Sequence, residues 1–323
     1  MDEFKGSRSL AVIEGGSEVA DGSAKLTRDQ LRLVAARTEM MERVWGQPFK
    51  LGFAHSFLTS TTLPYRNPGD DVRRITRTSG SGSLLIEAGV IPSADGGFVD
   101  VGIPYGSLSR LILLNICSEA VRTNSPVIPI KDSFTRFARN LGISVNGRSL
   151  KRLREQINRM SGVSIRLSKH HNGVADVFQG PIFSQFRAEL PEDERQRTFW
   201  TSVVELNPKF YESLRSHAVP LDMTAIAAVS NNARALDVLM WLSARLWRVH
   251  PSKPVTLKWT TLRWSFGNPD QRMKSFKTRF NQALQKALYV YPEANVRVVH
   301  GGVELRHSPP PVAFKRTKLL GDY

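Results

Sequence analysis

The sequence predicts an α+β fold in which one order of elements occurs twice, and three observations carry that expectation. Residues 254–308 run strand, short helix, tight turn, longer basic helix, hairpin. Residues 107–178 run helix, strand, short helix, basic helix, hairpin, the same order with an extra helix in front. The excess positive charge falls in two blocks that coincide with these stretches. Strand, helix, turn, basic helix and hairpin is the order of a winged helix-turn-helix, whose second helix fits the major groove of DNA while the hairpin lies along the backbone or minor groove. The expectation is therefore two tandem winged helix-turn-helix domains behind an N-terminal helical and loop extension.

In the C-terminal stretch the β-branched run Val255-Thr256-Leu257-Lys258-Trp259 reads as a strand, and Thr260 to Phe266 as a compact helix stopped at Gly267-Asn268-Pro269-Asp270. Glycine there permits a positive φ and proline ends a helix. The longer helix is expected from about Gln271 to Leu288, because Met273, Phe276, Phe280, Leu284 and Ala287 recur at the spacing of one buried stripe. Opposite that stripe lie Lys274, Thr278, Asn281 and Gln285, flanked by Lys277 and Arg279, with Arg272 just before. Val296–Val299 and Val303–Arg306 alternate around His300-Gly301-Gly302, a tight hairpin carrying Arg297 and His300.

From the N-terminus, residues 1–25 are Gly-, Ser- and Ala-rich and read as an arm. Thr27-Arg28-Asp29-Gln30 has the form of a capping box. The helix after it carries Leu31, Val34, Thr38, Met41 and Trp45 as a stripe, expected to dock on the chain's own body, with a dimer seam as the alternative. Residues 46–82 read as loop, in which Arg73, Arg74 and Arg77 either touch phosphate or are simply solvated. Leu84–Ile86 and Phe98–Ile103 read as strands, Ser107–Val121 as an apolar helix containing the single cysteine, Cys117, and Pro126–Lys131 as a strand. A short helix over 133–141 and the basic helix Arg148–Met160 follow. The latter is expected to turn Leu150, Leu153 and Ile157 inward and Arg148, Lys151, Arg152, Glu155, Asn158 and Arg159 outward. Val163–Lys169 and Val174–Phe178 are the expected hairpin of this unit, and the acidic run Leu190-Pro191-Glu192-Asp193-Glu194 the boundary to the next. Beyond it Trp200–Leu206 reads as a strand, Pro208–His217 as a helix and Ala233–Trp247 as a strongly apolar helix. The domains are thus an N-terminal region 1–82, winged-helix units 83–190 and 196–311, and a basic tail 312–323.

The 323 residues carry a net charge of +16. Residues 1–130 are balanced, with 14 basic and 14 acidic side chains, whereas residues 131–170 hold 10 basic against 2 acidic and residues 196–323 hold 19 against 8. Two basic blocks suggest two contacts with a polyanion. The candidate DNA-binding residues are Arg148, Lys151, Arg152, Asn158 and Arg159 in the first block. In the second they are Arg272, Lys274, Lys277, Thr278, Arg279, Asn281, Gln285, Arg297 and His300.

Other chemistry lacks its signature. One cysteine permits no intramolecular disulfide and no Cys-rich zinc site. There is no G-x-x-x-x-G-K-[ST] and no H-E-x-x-H, and His170-His171 lacks the His-apolar-His spacing of a metal-dependent nickase. No catalytic residue, metal or cofactor is expected, and the chain is not expected to be an enzyme. With no leader and no run of 18 apolar residues, a soluble cytoplasmic protein with no membrane contact is the expectation.

Spaced residues along most of the chain, roughly Leu63 to Pro311, resemble the RepA-type plasmid replication initiators. In the first unit the resemblance rests on Val101-Gly102-Ile103-Pro104-Tyr105-Gly106-Ser107, Ser118-Glu119-Ala120-Val121-Arg122-Thr123 and Leu153-Arg154-Glu155-Gln156-Ile157-Asn158-Arg159. In the second it rests on Val204-Glu205-Leu206-Asn207-Pro208-Lys209-Phe210-Tyr211, His217-Ala218-Val219-Pro220-Leu221-Asp222 and Ala235-Leu236-Asp237-Val238-Leu239-Met240-Trp241-Leu242. Phe266-Gly267, Phe276-Lys277 and Tyr291-Pro292-Glu293-Ala294 continue it. Where many relatives have a glycine pair before the first basic helix, this chain has Val145-Asn146-Gly147.

The resemblance implies binding to repeats (iterons) in double-stranded plasmid origin DNA and help in opening an adjacent AT-rich segment. It also implies recruitment of the host initiator DnaA and the replicative helicase, and a homodimer that limits copy number or represses its own gene. The competing expectation is a transcriptional repressor that binds an operator and has no replication role.

Overall fold

The computed structural model describes residues 26–43, 50–60, 62–79, 82–93, 96–130, 136, 139, 146–171, 174–189, 200–268 and 271–312. Among them the chain begins α1 (Arg28–Glu42), β1 (Leu51–His55), α2 (Ser56–Ser60), β2 (Arg74–Ser79), β3 (Gly82–Glu87), β4 (Val90–Pro92), β5 (Phe98–Asp100), α3 (Gly106–Thr123) and β6 (Val127–Pro129). It continues α4 (Gly147–Gly162), β7 (Ser164–His171), β8 (Val174–Pro181), β9 (Phe183–Glu189), β10 (Trp200–Leu206), α5 (Pro208–His217), β11 (Ala218–Asp222), α6 (Met223–Val229) and α7 (Ala233–Arg245). After one 3-10 turn come β12 (Val255–Lys258), α8 (Trp259–Phe266), α9 (Met273–Tyr289), β13 (Val296–Val299) and β14 (Gly302–Leu305). The fold is mixed α+β. Of the helix expected over 133–141 only Arg136 and Arg139 lie within the described residues.

One apolar core runs through the whole assembly, from Ala36 of α1 to Leu305 of β14. Its centre is α7, buried along nearly its full length from Ala235 to Ala244. Helix α3 lies against α7, with Leu111–Cys117 buried. The two helices are tied by a buried ion pair: Arg110 donates from Nε to Asp237 Oδ1 at 2.6 Å and from Nη2 to Oδ2 at 2.7 Å. Its remaining N–H groups serve the carbonyls of Leu63, Pro64 and Gly106. Cys117 is fully buried in this core, and burial pushes its thiol up to about 12.

The sheets correct the expected organisation. In the C-terminal stretch the strands pair in the order β12-β14-β13, as the hairpin reading requires. In the first stretch β6 does not pair with the hairpin over 164–181. It pairs with β10, which pairs with β9, giving the order β6-β10-β9 and the same arrangement as β12-β14-β13. Strands β9 and β10 lie on either side of residues 190–199, so the expected boundary at 190–196 is bridged by backbone hydrogen bonds. A polar, proline-containing run has the same composition in a linker as between two paired strands, and sequence alone does not separate them. Strands β7 and β8 instead complete the four-stranded sheet β2-β3-β7-β8.

The stretch expected to be loop also differs. Residues 51–60 form β1 and α2, and β1 pairs with β11 from Leu51↔Asp222 to His55↔Ala218. That partner is far away in sequence, so no local pattern announces it. At the end of β1 the buried His55 ring stacks on Phe210 at 4.7 Å. Its Nδ1 accepts the Phe57 N–H at 3.2 Å, which leaves the ring proton on Nε2, 3.2 Å from Ser213 Oγ. Burial, with a contribution from His217, lowers the His55 pKa to about 3.

Helix α1 forms with the capping box intact: Thr27 and Gln30 exchange side-chain and backbone bonds. It docks on the body, held by Arg43–Asp222 at 2.7 Å and Lys286–Asp29 at 3.3 Å. The docked face is Leu33, Ala36 and Met40, not the expected stripe. Leu31, Val34 and Met41 are exposed, and Trp45 lies outside the described residues.

Candidate nucleic-acid interface

Helix α9 is positioned by aromatic packing on its inner face. Phe276 and Phe280 are fully buried, with Phe280 at 5.5 Å from Phe266, 6.0 Å from Trp259 and 6.4 Å from Trp241. Edge-to-face geometry in three of these contacts fixes the rotation of the helix about its axis. Lys274, Thr278 and Gln285 consequently face outward and are exposed, and Gln282, which the sequence pattern did not single out, joins them. Arg279 is exposed at one flank.

Two expected members of the face sit differently. Lys277 is half-buried with its ammonium over the Trp259 ring at 5.3 Å. Asn281 is half-buried at the margin, its Oδ1 enclosed without a hydrogen-bond partner. Thr278 donates its hydroxyl proton to the Lys274 carbonyl at 3.1 Å, so towards the outside it can only accept. Arg272 takes the N-cap position, and its side chain makes no capping hydrogen bond. Arg297 and His300 are exposed on β13 and the β13–β14 turn, and Glu304 opposite Arg297 is engaged by Arg306 at 2.8 Å.

Helix α4 divides along its length. It starts from a capping box between Asn146 and Ser149, and Arg148, Lys151 and Arg152 in its first turns are exposed. Asn158 and Arg159, expected outward, are buried at 6% and 7% exposure. Arg159 is covered by Asp70, Gly102, Ile103 and Tyr105, which arrive from earlier in the chain. Arg159 donates to Asp70 at 2.9 Å, to Glu155 at 3.2 Å and to the Ile103 carbonyl at 3.3 Å, and its guanidinium lies 5.1 Å from the Tyr105 ring centre. Arg159 is a structural tie, and the accessible positive surface of α4 is confined to its N-terminal half.

The three arginines of the expected loop also separate. Arg73 bonds to Asp100 and to the carbonyls of Val101 and Gly89, and Arg74 pairs with Glu87 at 2.9 Å. Arg77 is buried in β2, with Asn268 Oδ1 at 3.2 Å and no carboxylate partner among the described residues. No group of His, Cys, Asp or Glu among the described residues could hold a metal ion, and no described helix is long and apolar enough to cross a membrane.

The sequence profile described as "Plasmid encoded RepA protein" matches residues 103–264, from the segment before α3 to α8. Among solved structures, the chain is similar to domains 2 and 3 of RctB, with a TM-score of 0.50 and 11% identity over 79% of this chain and 98% of that one. A second structure of RctB domains 2–3 aligns with a TM-score of 0.44 and 10% identity, over 78% and 94% of the two chains. No curated protein sequence matches. At these identities the RctB likeness concerns the fold alone.

Proposed function

The chain belongs to the plasmid-encoded RepA family of replication initiators, and from that premise we propose that it is a sequence-specific binder of repeats in double-stranded plasmid origin DNA. The observation that carries this reading is α9: a helix locked by aromatic packing, presenting Lys274, Thr278, Gln282 and Gln285 together. Long polar side chains on one rigid helical face are suited to base edges, and the flanking cations to phosphate. The shared strand order of β6-β10-β9 and β12-β14-β13 supports reading the two halves as winged helix-turn-helix units, the first offering Arg148, Lys151 and Arg152 to the backbone. Two such units in tandem would span successive major grooves, roughly 34–36 Å apart.

On this reading the protein has no active site of its own. Bending by the bound array weakens an adjacent AT-rich segment, and DnaA and the replicative helicase then join. A homodimer and a cytoplasmic location complete the proposal. A footprint on the plasmid's own origin tests it. Protection of tandem repeats beside an AT-rich stretch is the expected result. Protection of a lone inverted repeat over a promoter would mark an operator-binding repressor instead, and no protection at all would overturn DNA reading altogether.

A further inference from the structure

Where β2 meets the turn between α8 and α9, the protein has gathered more positive charge than it neutralises. Arg110, Arg77 and Arg234 lie together around Tyr65, with Arg234 at 4.1 Å and Arg110 at 5.0 Å from the ring centre. The single carboxylate among them, Asp237, is taken by Arg110 through both oxygens. Among the described residues Arg234 donates to the Phe266 carbonyl alone and Arg77 to the amide oxygen of Asn268 alone. Arg77 is 6% exposed and its Nε is buried without an acceptor. Arg279 of α9, exposed and close enough to oppose the charge of Arg234, has no ion pair among the described residues.

Among the described residues Arg77 and Arg234 thus have no carboxylate bonded to them, and they share the field of Asp237 with Arg110. A buried arginine without a carboxylate is destabilising, because an amide oxygen compensates only part of the lost hydration. Burial accordingly holds Arg77 and Arg234 below the ordinary arginine range. Such an arrangement persists where the missing anion arrives with a ligand. Asn268 is exposed at the mouth, so its amide oxygen occupies the place where a charged oxygen would bond Arg77.

We propose that this seam is a phosphodiester site: one phosphate of the DNA backbone seats against Asn268, between Arg77, Arg234 and Arg279. The inference rests on the reading that the chain binds duplex DNA. It adds that β2, far from α9 in sequence, is part of the surface on which α9 meets DNA. Bound DNA would then bridge β2 and α7 to the α8–α9 turn, and release of the phosphate would leave their cations in mutual repulsion.

The test uses the full chain and a random-sequence duplex, since a phosphate contact does not depend on base sequence. Arg77→Met is expected to leave the thermal midpoint of the DNA-free protein unchanged or higher. The slope of log affinity against log salt should fall by about 0.9, which is about an eightfold loss at 0.1 M salt. Asn268→Asp supplies the missing carboxylate; it is expected to raise the DNA-free midpoint and reduce the slope in the same way. Because Asn268 is exposed, this variant decides the matter if Arg77→Met does not fold. Wild-type slopes in the folded variants would overturn the site and leave the DNA-binding reading standing. Inorganic pyrophosphate supplies a further arm. If it stabilises wild type more than Arg77→Met while duplex slopes stay equal, the site serves a free anion and the DNA assignment is wrong. Wild-type protein that binds neither the random duplex nor the origin would remove the parent reading and this one with it.

Discussion

Removing the carboxylate of Asp237 is the perturbation whose cost the structure defines most closely. The five N–H groups of Arg110 are all bonded: two to Asp237 and the rest to the carbonyls of Leu63, Pro64 and Gly106. The two side chains are 1% and 3% exposed, so water does not replace a lost partner. Asp237→Ala leaves a buried guanidinium with two unmet donors and no counter-charge, a change that costs about 3–5 kcal/mol. Against a typical total of about 5–15 kcal/mol, and a urea dependence of about 1–3 kcal/mol/M, the unfolding midpoint should fall by at least about 1 M. The double variant Arg110→Met with Asp237→Leu removes the charge as well. Pro64 O then still accepts the Gly106 N–H at 2.9 Å, and Gly106 O remains the acceptor of a helical bond within α3. Only Leu63 O loses its partner, at about 1–3 kcal/mol. The double variant is therefore expected to be more stable than Asp237→Ala alone and less stable than wild type. Urea denaturation of wild type and the two variants measures this. A double variant no more stable than Asp237→Ala would refute the charge argument.

Three further outcomes are expected. The neutral His55 ring is favoured by the fold, so its contribution is fully present above the unfolded pKa near 6.5 and is lost as pH falls towards the folded value of about 3. Stability should drop by about 1.4 kcal/mol between pH 7.5 and 5.5 from this group, and calorimetry of His55→Phe should show that part of the slope gone. Gln285→Ala should cost about 1–3 kcal/mol on the origin repeat and little on random duplex; equal losses on both would make Gln285 a backbone contact. Replacing Lys151 and Arg152 together should lower the salt slope by about 1.8, and an unchanged slope with the fold intact would assign the start of α4 to protein contacts.

What could be foreseen from the sequence was whatever a local pattern encodes. The Met273-to-Ala287 stripe, the Thr27–Gln30 capping box and the β13–β14 hairpin all lie within a few helical turns or a single turn of chain, and each formed as expected. What escaped depended on partners distant in sequence. Arg159 reads as an outward cation on a helical wheel, and only the arrival of Asp70 and residues 101–105 turns it into a tie. Arg77 reads as a loop cation because β2 runs Arg-Ile-Thr-Arg-Thr-Ser, with Ile75 as its single apolar residue. The β9–β10 pairing was hidden because the intervening residues look like a linker. At the candidate site the helix and its polar face were foreseen. The inward lean of Asn281 and the availability of Gln282 followed from how Phe276 and Phe280 set the helix rotation.

The lone thiol at the centre of α3 gives the protein an internal clock. Cys117 is shielded from solvent and held protonated by burial, so a maleimide or disulfide reagent finds nothing to attack while the core is closed. Every modification event then reports an opening of the core around α3, where the thiol lies beside the His55 backbone of β1. In the slow-reclosing limit the labelling rate is the opening rate itself, and in the fast limit it is the open fraction times the intrinsic thiol rate. Following that rate with and without duplex DNA measures how firmly DNA keeps the core around α3 and β1 closed, without adding a probe to the chain.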